Sequence, residues 1–308
     1  MKISLFIFIL FIFIIILFMF IFTLSFLSIN YWKMIWKNSH IPDFTKWILC
    51  DKLIAKKFAE QNGFNVAKLY QYAQFPNQLV NNIKSNHKKQ YVIKPVDLCD
   101  SGGVYVMKNG INLIDNKKYT FSDIQKNLVK LRSEIKQEYY MHNKMYNYKI
   151  PNTGYIMEEL LLDNNKLPCD YKCYTYQGKI WFIANTYNRR MVNGEQKFNS
   201  VWMTRDWKPI FIKMIKKGYK YQRLPKPKGL GLLIKKVENI SRKLNRHCRI
   251  DVYLVNGKTY FSEFTFFTGA FLHTQICNNI LGLLWYLYPD GKNEIEEIQK
   301  LIPREYIK

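Results

Sequence analysis

Arg249 to Phe266, RIDVYLVNGKTYFSEFTF, constrains the fold more than any other stretch of this sequence. Asn256-Gly257 is a strong two-residue turn signal, and the flanking residues are mostly β-branched or aromatic. The stretch therefore predicts an antiparallel hairpin with two distinct faces. Asp251 and Glu263 lie inside its strands, in a chain with 23 acidic residues against 47 basic ones. An ideal two-residue turn pairs Val255 with Lys258 and Asp251 with Ser262, which sends Glu263 to the opposite face. One bulge would instead pair Asp251 with Glu263 and bring Thr265 onto the same face. The first register leaves two solvated acids. The second makes a hard-oxygen site suited to magnesium, in which two close carboxylates repel each other until a cation arrives.

Other stretches set the fold class. Asp51–Gly63, DKLIAKKFAEQNG, reads as an amphipathic helix stopped by glycine. QYVIK (90–94) and VYVMK (104–108) read as strands, Tyr119–Tyr140 as a helix and Gly154–Leu162 as a strand running into a connector. Asp170–Tyr187 reads as a hairpin around Gln177-Gly178, and Leu230–Asn245 as a basic amphipathic helix. Frequent hairpins and irregular alternation with helices predict an α+β fold with mainly antiparallel sheets.

Ile3 to Ile29 carries no charge and is nearly all Ile, Leu, Phe or Met. It exceeds the ~20 residues that cross a bilayer. No small-x-small cleavage site follows it, so a retained single-pass anchor is expected. Lys33 and Lys37 flank it on the C-terminal side and lean toward a cytoplasmic catalytic domain. The formal charge of +24 calls for an anionic partner, although a Lys- and Asn-rich composition accounts for part of it. No nucleic-acid-binding signature is present, which makes nucleic acid an unlikely partner. The six cysteines, Cys50, Cys99, Cys169, Cys173, Cys248 and Cys277, form no C-x-x-C pair and read as free thiols. The five histidines are scattered, without a zinc-protease or triad pattern.

Two further places carry chemistry. In YVIKPVDLCDSGG, Lys94 ends a strand, and Ser101-Gly102-Gly103 is small enough to bring backbone N–H groups to phosphate oxygens. Taken alone, that loop is equally a plain turn. Met157-Glu158-Glu159-Leu160 follows an apolar strand. Its acids read either as solvated or as the edge of an adenosine site.

In this order, DKLIAKKFAEQNG, YVIKP with its Ser-Gly-Gly loop, YIMEELL, DYKCYTYQGK, TRDWKP and RIDVYLVNGKTYFSEFTFFTGAF resemble the TupA-like ATP-grasp family of teichuronopeptide and surface-polysaccharide synthesis. The resemblance spans roughly Cys50 to Phe271. It implies an ATP-grasp fold, in which two lobes clamp ATP and Mg2+; the N-terminal transmembrane helix expected from the apolar run precedes them. The expected organisation is an anchor over 1–30, a helical segment over 31–90, a small lobe with the phosphate lid over 91–160, and a large lobe with the metal-binding hairpin over 161–308.

By resemblance, Lys52 and Lys94 contact the phosphates, Ser101, Gly102 and Gly103 form the lid, and Met157, Glu158, Glu159 and Leu160 border adenine. Asp170 lies in the cleft. Lys172 and Arg189 or Arg190 serve catalysis, and Asp251, Glu263 and Thr265 hold magnesium. Glu263-Phe264-Thr265 stands where many relatives have Glu-x-Asn, and LCDSGG departs from the usual His-Gly-Ser-Gly lid. The implied activity is an ADP-forming carboxylate–amine ligase working on an acidic glycan precursor and an amine donor at the membrane. A kinase acting on a glycan hydroxyl and a non-catalytic basic binding protein are the alternatives.

Overall fold

The computed structural model describes residues 11–17, 30–39, 43–80, 90–98, 102–134, 154–192, 195–268, 272–292, 298 and 300. Most of the apolar run expected to anchor the chain lies outside these. Residues 11–17 are helical, and among the described residues no helix is long and apolar enough to cross a membrane.

Three helices follow residues 11–17: α1 (Tyr31–Ser39), α2 (Phe44–Ile48) and α3 (Lys52–Gln61). The Asp51 carboxylate caps α3, accepting from the N–H groups of Leu53 at 2.8 Å and Ile54 at 3.1 Å. Gly63, at φ +82°, lets the chain turn away after the last helical turn.

The smaller sheet comprises β1 (Leu69–Ala73), β2 (Gln90–Pro95), β3 (Tyr105–Lys108), β4 (Ile111–Asn112), β5 (Lys117–Lys118) and β6 (Tyr155–Glu159), in the order β1-β6-β2-β3-β4-β5. Segment 31–90 is thus not wholly helical, because β1 pairs with β6. Helix α4 (Phe121–Glu134) packs Ile124 and Leu128 onto Ile93, Met107 and Met157 of this sheet.

The larger sheet is built from β7 (Asp170–Tyr176), β8 (Lys179–Val192), β9 (Glu195–Thr204), β10 (Cys248–Val255) and β11 (Lys258–Thr265). Its order is β11-β10-β7-β8-β9, and every pair is antiparallel. Cross-strand pairing separates its faces cleanly. Cys173, Ile183, Met203, Ile250 and Phe264 point into the main core, against α5 (Leu230–Leu244) and the apolar side of α3. The opposite face is divided along the strands. At one end Tyr174 and Trp202 join a second core with α1 and α6 (Gln275–Leu287). At the other end the side chains are charged. Alternation, reset by irregularities in three of the four ladders, seals one face with apolar residues and leaves the other free to carry a site.

Candidate active site

The hairpin adopts the bulged register. Val255 pairs with Lys258 beside the turn, but Asp251 pairs with Glu263, and Ser262 is the extra residue where the ladder shifts. Arg249 pairs with Thr265, so Arg249, Asp251, Glu263 and Thr265 occupy neighbouring rungs on one face. On the adjoining strand Lys172 lies opposite Asp251, and Asp170 opposite Tyr253.

The carboxylates are not a bare repelling pair. Asp251, 1 % exposed, accepts from Arg249 Nε at 2.7 Å through Oδ1 and from Arg249 Nη2 at 2.8 Å through Oδ2. Lys172 donates to the same Oδ2 and also lies 2.8 Å from Asp170 Oδ2. Arg189 donates to Asp170 as well. The Arg249 fork reaches Thr265 Oγ1 at 3.0 Å and Glu263 Oε1 at 3.6 Å. Burial raises the Glu263 carboxyl, but Lys172, Lys52 and Arg249 outweigh it and hold the group below its ordinary value. Arg249 went unmarked in the sequence reading, although its spacing of two from Asp251 was the signal that places both on one face.

Alternation from Thr186, which pairs with Asp170, would put Arg190 on the charged face, but an irregularity between Tyr187 and Arg190, with Asn188 at φ +54°, exchanges the two arginines. Arg189 turns inward to Asp170, while Arg190 is exposed on a rung with Lys197.

The smaller sheet supplies a second charged group. Glu158 is buried, with Lys94 Nζ 2.6 Å from Oε1 and Lys56 Nζ 2.7 Å from Oε2. Burial pushes its carboxyl up, but the two lysines prevail and bring it down to about 2. Burial lowers Lys56 despite Glu158, and it lowers Lys52 despite Glu263. Lys52 donates to the Leu98 carbonyl and lies within electrostatic reach of both Lys94 and Glu263, which joins the two groups.

Of the residues expected to border adenine, Met157, Glu158 and Glu159 have other partners in the fold. Glu158 is committed to two lysines, and Met157 is 1 % exposed in the core. Strand β6 runs between β1 and β2, so the backbone groups of Met157 and Glu158 serve sheet ladders rather than a ligand. The Glu159 N–H donates to the Lys68 carbonyl and its carboxylate accepts from the Lys68 N–H at 3.3 Å. Leu160, just past the strand, has no ladder partner among the described residues.

Of the lid, Ser101 lies outside the described residues. Gly102 and Gly103 form a turn. Gly103 has φ +69°, and a Cβ there would press on Leu131, Leu128 and Pro95. Packing against α4 already requires this glycine.

The donor set fits magnesium. Among the described residues no three His, Cys, Asp or Glu side chains converge as a metal cage. Magnesium bound with nucleotide phosphates needs only one or two carboxylates, and Asp251 and Glu263 supply two hard-oxygen groups beside the Thr265 hydroxyl. Asp170 Oδ1 is buried with no hydrogen-bond partner.

A family model described as TupA-like ATP-grasp matches residues 32–282. The chain belongs to the TupA-like ATP-grasp family. Its expected fold, two antiparallel sheets in a mixed α/β chain, is the one observed. Similar solved structures include a D-alanine–D-alanine ligase from Bacillus anthracis complexed with ATP, at 14 % identity and a TM-score of 0.42, covering 84 % of this chain and 69 % of that one. VanG D-Ala:D-Ser ligase from Enterococcus faecalis aligns at 13 % identity and a TM-score of 0.41, over 83 % of this chain and 62 % of that one. The macrocyclase MdnC of Microcystis aeruginosa MRC, bound with precursor peptide MdnA, aligns at 12 % identity and a TM-score of 0.40, over 80 % and 63 %. No curated protein matches the chain. Five cysteines of this TupA-like protein, Cys50, Cys169, Cys173, Cys248 and Cys277, are free thiols, as expected; Cys99 lies outside the described residues.

Proposed function

We propose that this protein is a membrane-anchored, ADP-forming carboxylate–amine ligase that uses ATP and magnesium on an acidic surface-glycan precursor. The observation that carries the reading is the single sheet face bearing Arg249, Asp251, Glu263, Thr265, Lys172 and Asp170, joined through Lys52 to Lys94. Membership of an ATP-grasp family supports it.

Asp251 and Glu263, with Thr265, would hold magnesium, which supplies charge compensation between the phosphoryl oxygens and the protein. Lys52 and Lys94 face the phosphates. Lys172, Arg189 and Arg249 offset charge that spreads over the transferring phosphoryl group. Their present partners are carboxylates, so an incoming phosphoryl group competes for cations already placed by ion pairs. A substrate carboxylate oxygen bonds to the γ-phosphorus as the bond to ADP breaks. The amine then bonds to the acyl carbon, and phosphate leaves with the former carboxylate oxygen. Leu160 and the connector after it border the adenine. The excess of basic residues suits a uronate or similar acidic glycan.

Mass spectrometry after incubation with Mg-ATP, acidic sugars and amines tests the reading. An amide with ADP and phosphate is expected. A phosphorylated sugar would make the protein a kinase, and AMP with pyrophosphate would exclude the acylphosphate route.

A further inference from the structure

Between β9 and α5 the chain covers the second core, and it does so with an unusual surface. From Asp206 to Glu238 there is no acidic residue between the two ends. Lys208, Lys213, Lys216, Lys217 and Lys220 are all exposed, and none makes an ion pair among the described residues. Glu195 feels Lys217 but is bonded to Lys197 at 2.6 Å. Among these lysines stand large apolar side chains that the fold leaves in the open. Phe211 is 54 % exposed and Tyr221 62 %, and their rings lie 4.6 Å apart.

This strip is fastened to the start of α6. The Lys216 N–H donates to the Leu272 carbonyl at 2.7 Å, and the Thr274 hydroxyl donates to the Lys213 carbonyl at 2.7 Å. Leu272 and Ile276, also exposed, therefore continue the patch formed by Phe211 and Ile212. The buried residues beneath, Met214 and Ile215, explain why the backbone is held here. Nothing in that packing requires Phe211, Ile212 or Leu272 to face outward.

The position of the chain's entry decides the occupant. Gly282 of α6 lies so close to the backbone of Asn30 and Tyr31 that a Cβ would collide with it. Asn30 directly follows the apolar run ending at Ile29. Ile276 precedes Gly282 by six helical residues, about 9 Å along the axis. The lysine-rimmed apolar patch thus includes, at Ile276, the first turn of the same helix against which an uncharged segment long enough for a bilayer enters the domain. Apolar side chains set among unpaired lysines match the interface of an anionic bilayer, where the rings enter the headgroup layer and the ammonium groups meet lipid phosphates.

We infer that Phe211, Ile212, Leu272 and Ile276, with Lys213, Lys216 and Lys217, form a surface that lies on anionic lipid. This surface adds a second membrane contact to the anchor read in the N-terminal run, on which the inference rests, and it does not depend on the ligase chemistry. It would fix the orientation of the domain, whereas a single tether would leave it free to swing.

The test uses the full chain in vesicles of phosphatidylcholine, alone or with phosphatidylserine. Lysines are acetylated with a membrane-impermeant reagent and read by mass spectrometry against exposed Lys126 on α4. Lys213, Lys216 and Lys217 are expected to react several-fold more slowly in the anionic vesicles, and high salt should restore them. Phe211→Asp should restore them too, with the chain still on the vesicles. Equal rates in both vesicle types would overturn the surface while leaving the anchor and the ligase reading untouched. Slow reaction without any lipid would show that the chain's own apolar run covers the patch, and would also overturn it. So would protection by a soluble polyuronate equal to that by vesicles, which would make the patch a glycan site.

Discussion

The two sheets hold charge in opposite ways. In the smaller one a single buried carboxylate, Glu158, is shared by two lysines, Lys56 and Lys94, so the group is positive as a whole. In the larger one Asp170, Asp251 and Glu263 face Lys172, Arg189 and Arg249, and the formal charges balance. A surplus of positive charge has room for an anion. A balanced cluster has room for a cation that arrives with its own anion. Under the proposed function, that difference would separate phosphate binding from metal binding and phosphoryl transfer. It also shows why isolated acids in the sequence were hard to assign: Glu158 and Asp251 are both buried carboxylates, and only their partners distinguish them.

The comparison breaks most severely at Asp251. Asp251→Asn removes one charge from the balanced cluster and leaves Arg249 and Lys172 short of a partner. Turnover is expected to fall by about 10³ or more, as when a buried electrostatic group of an active site is lost. Because one partner of a buried ion pair is removed, the fold should also lose about 3 kcal/mol in urea titration. Unchanged turnover would dissociate Asp251 from the chemistry.

Glu158→Gln attacks the other group. It strands Lys56, whose side chain is 9 % exposed, and should cost about 3–5 kcal/mol of stability. Lys94→Met leaves Glu158 paired with Lys56. It is expected to weaken ATP binding, measured by calorimetry, with a smaller change in melting temperature. If Lys94→Met destabilised the protein as much as Glu158→Gln, Lys94 would be a structural residue.

Acid separates the regions by pH. His273 lies under the larger sheet, where burial and then Arg249 hold its imidazole neutral, with a pKa lowered to about 4. Its folded value is depressed, so its contribution is complete above about 6.5 and is lost as pH falls toward 4. That amounts to roughly 3 kcal/mol over the window. Glu158, at about 2 against an ordinary 4.5, keeps its contribution until pH falls below about 4.5 and loses it toward 2. Stability measured from pH 7 downward should therefore fall first through the larger sheet. His273→Phe should make the curve less steep between pH 6.5 and 4, with the remaining slope due to His247, whose imidazole burial and then Lys46 hold well below its ordinary value; an unchanged slope would remove His273 from the account.

The smallest effect is expected at Arg190. Arg190→Ala should change neither ATP affinity nor stability by more than about 0.5 kcal/mol, the ordinary range for an exposed position. Arg189→Ala, which leaves Asp170 to Lys172 alone, should reduce turnover. Equal losses in the two variants would remove the distinction between them.

Much of this was written in the local sequence. The capped helix from Asp51, the hairpins at Gln177-Gly178 and Asn256-Gly257, and the helix over Leu230–Asn245 depend on turn residues and periodicity, which act over a few residues. The shared face of Asp251 and Glu263 was legible as one of two registers, and the bulge decides which. Lys56 was not, because a lysine on an amphipathic helix looks solvated until a carboxylate from a strand about a hundred residues later is buried against it. Nor could the sequence decide the adenine border. Met157 and Glu158 lost that role because β6 became an inner strand, with neighbours on both sides claiming its backbone. Local chemistry fixes which elements form and which faces they present. Which charges meet, and which backbone groups stay free, follows from long-range pairing, since hydrogen bonds and ion pairs act only over a few ångströms and only the folded chain brings such groups that close.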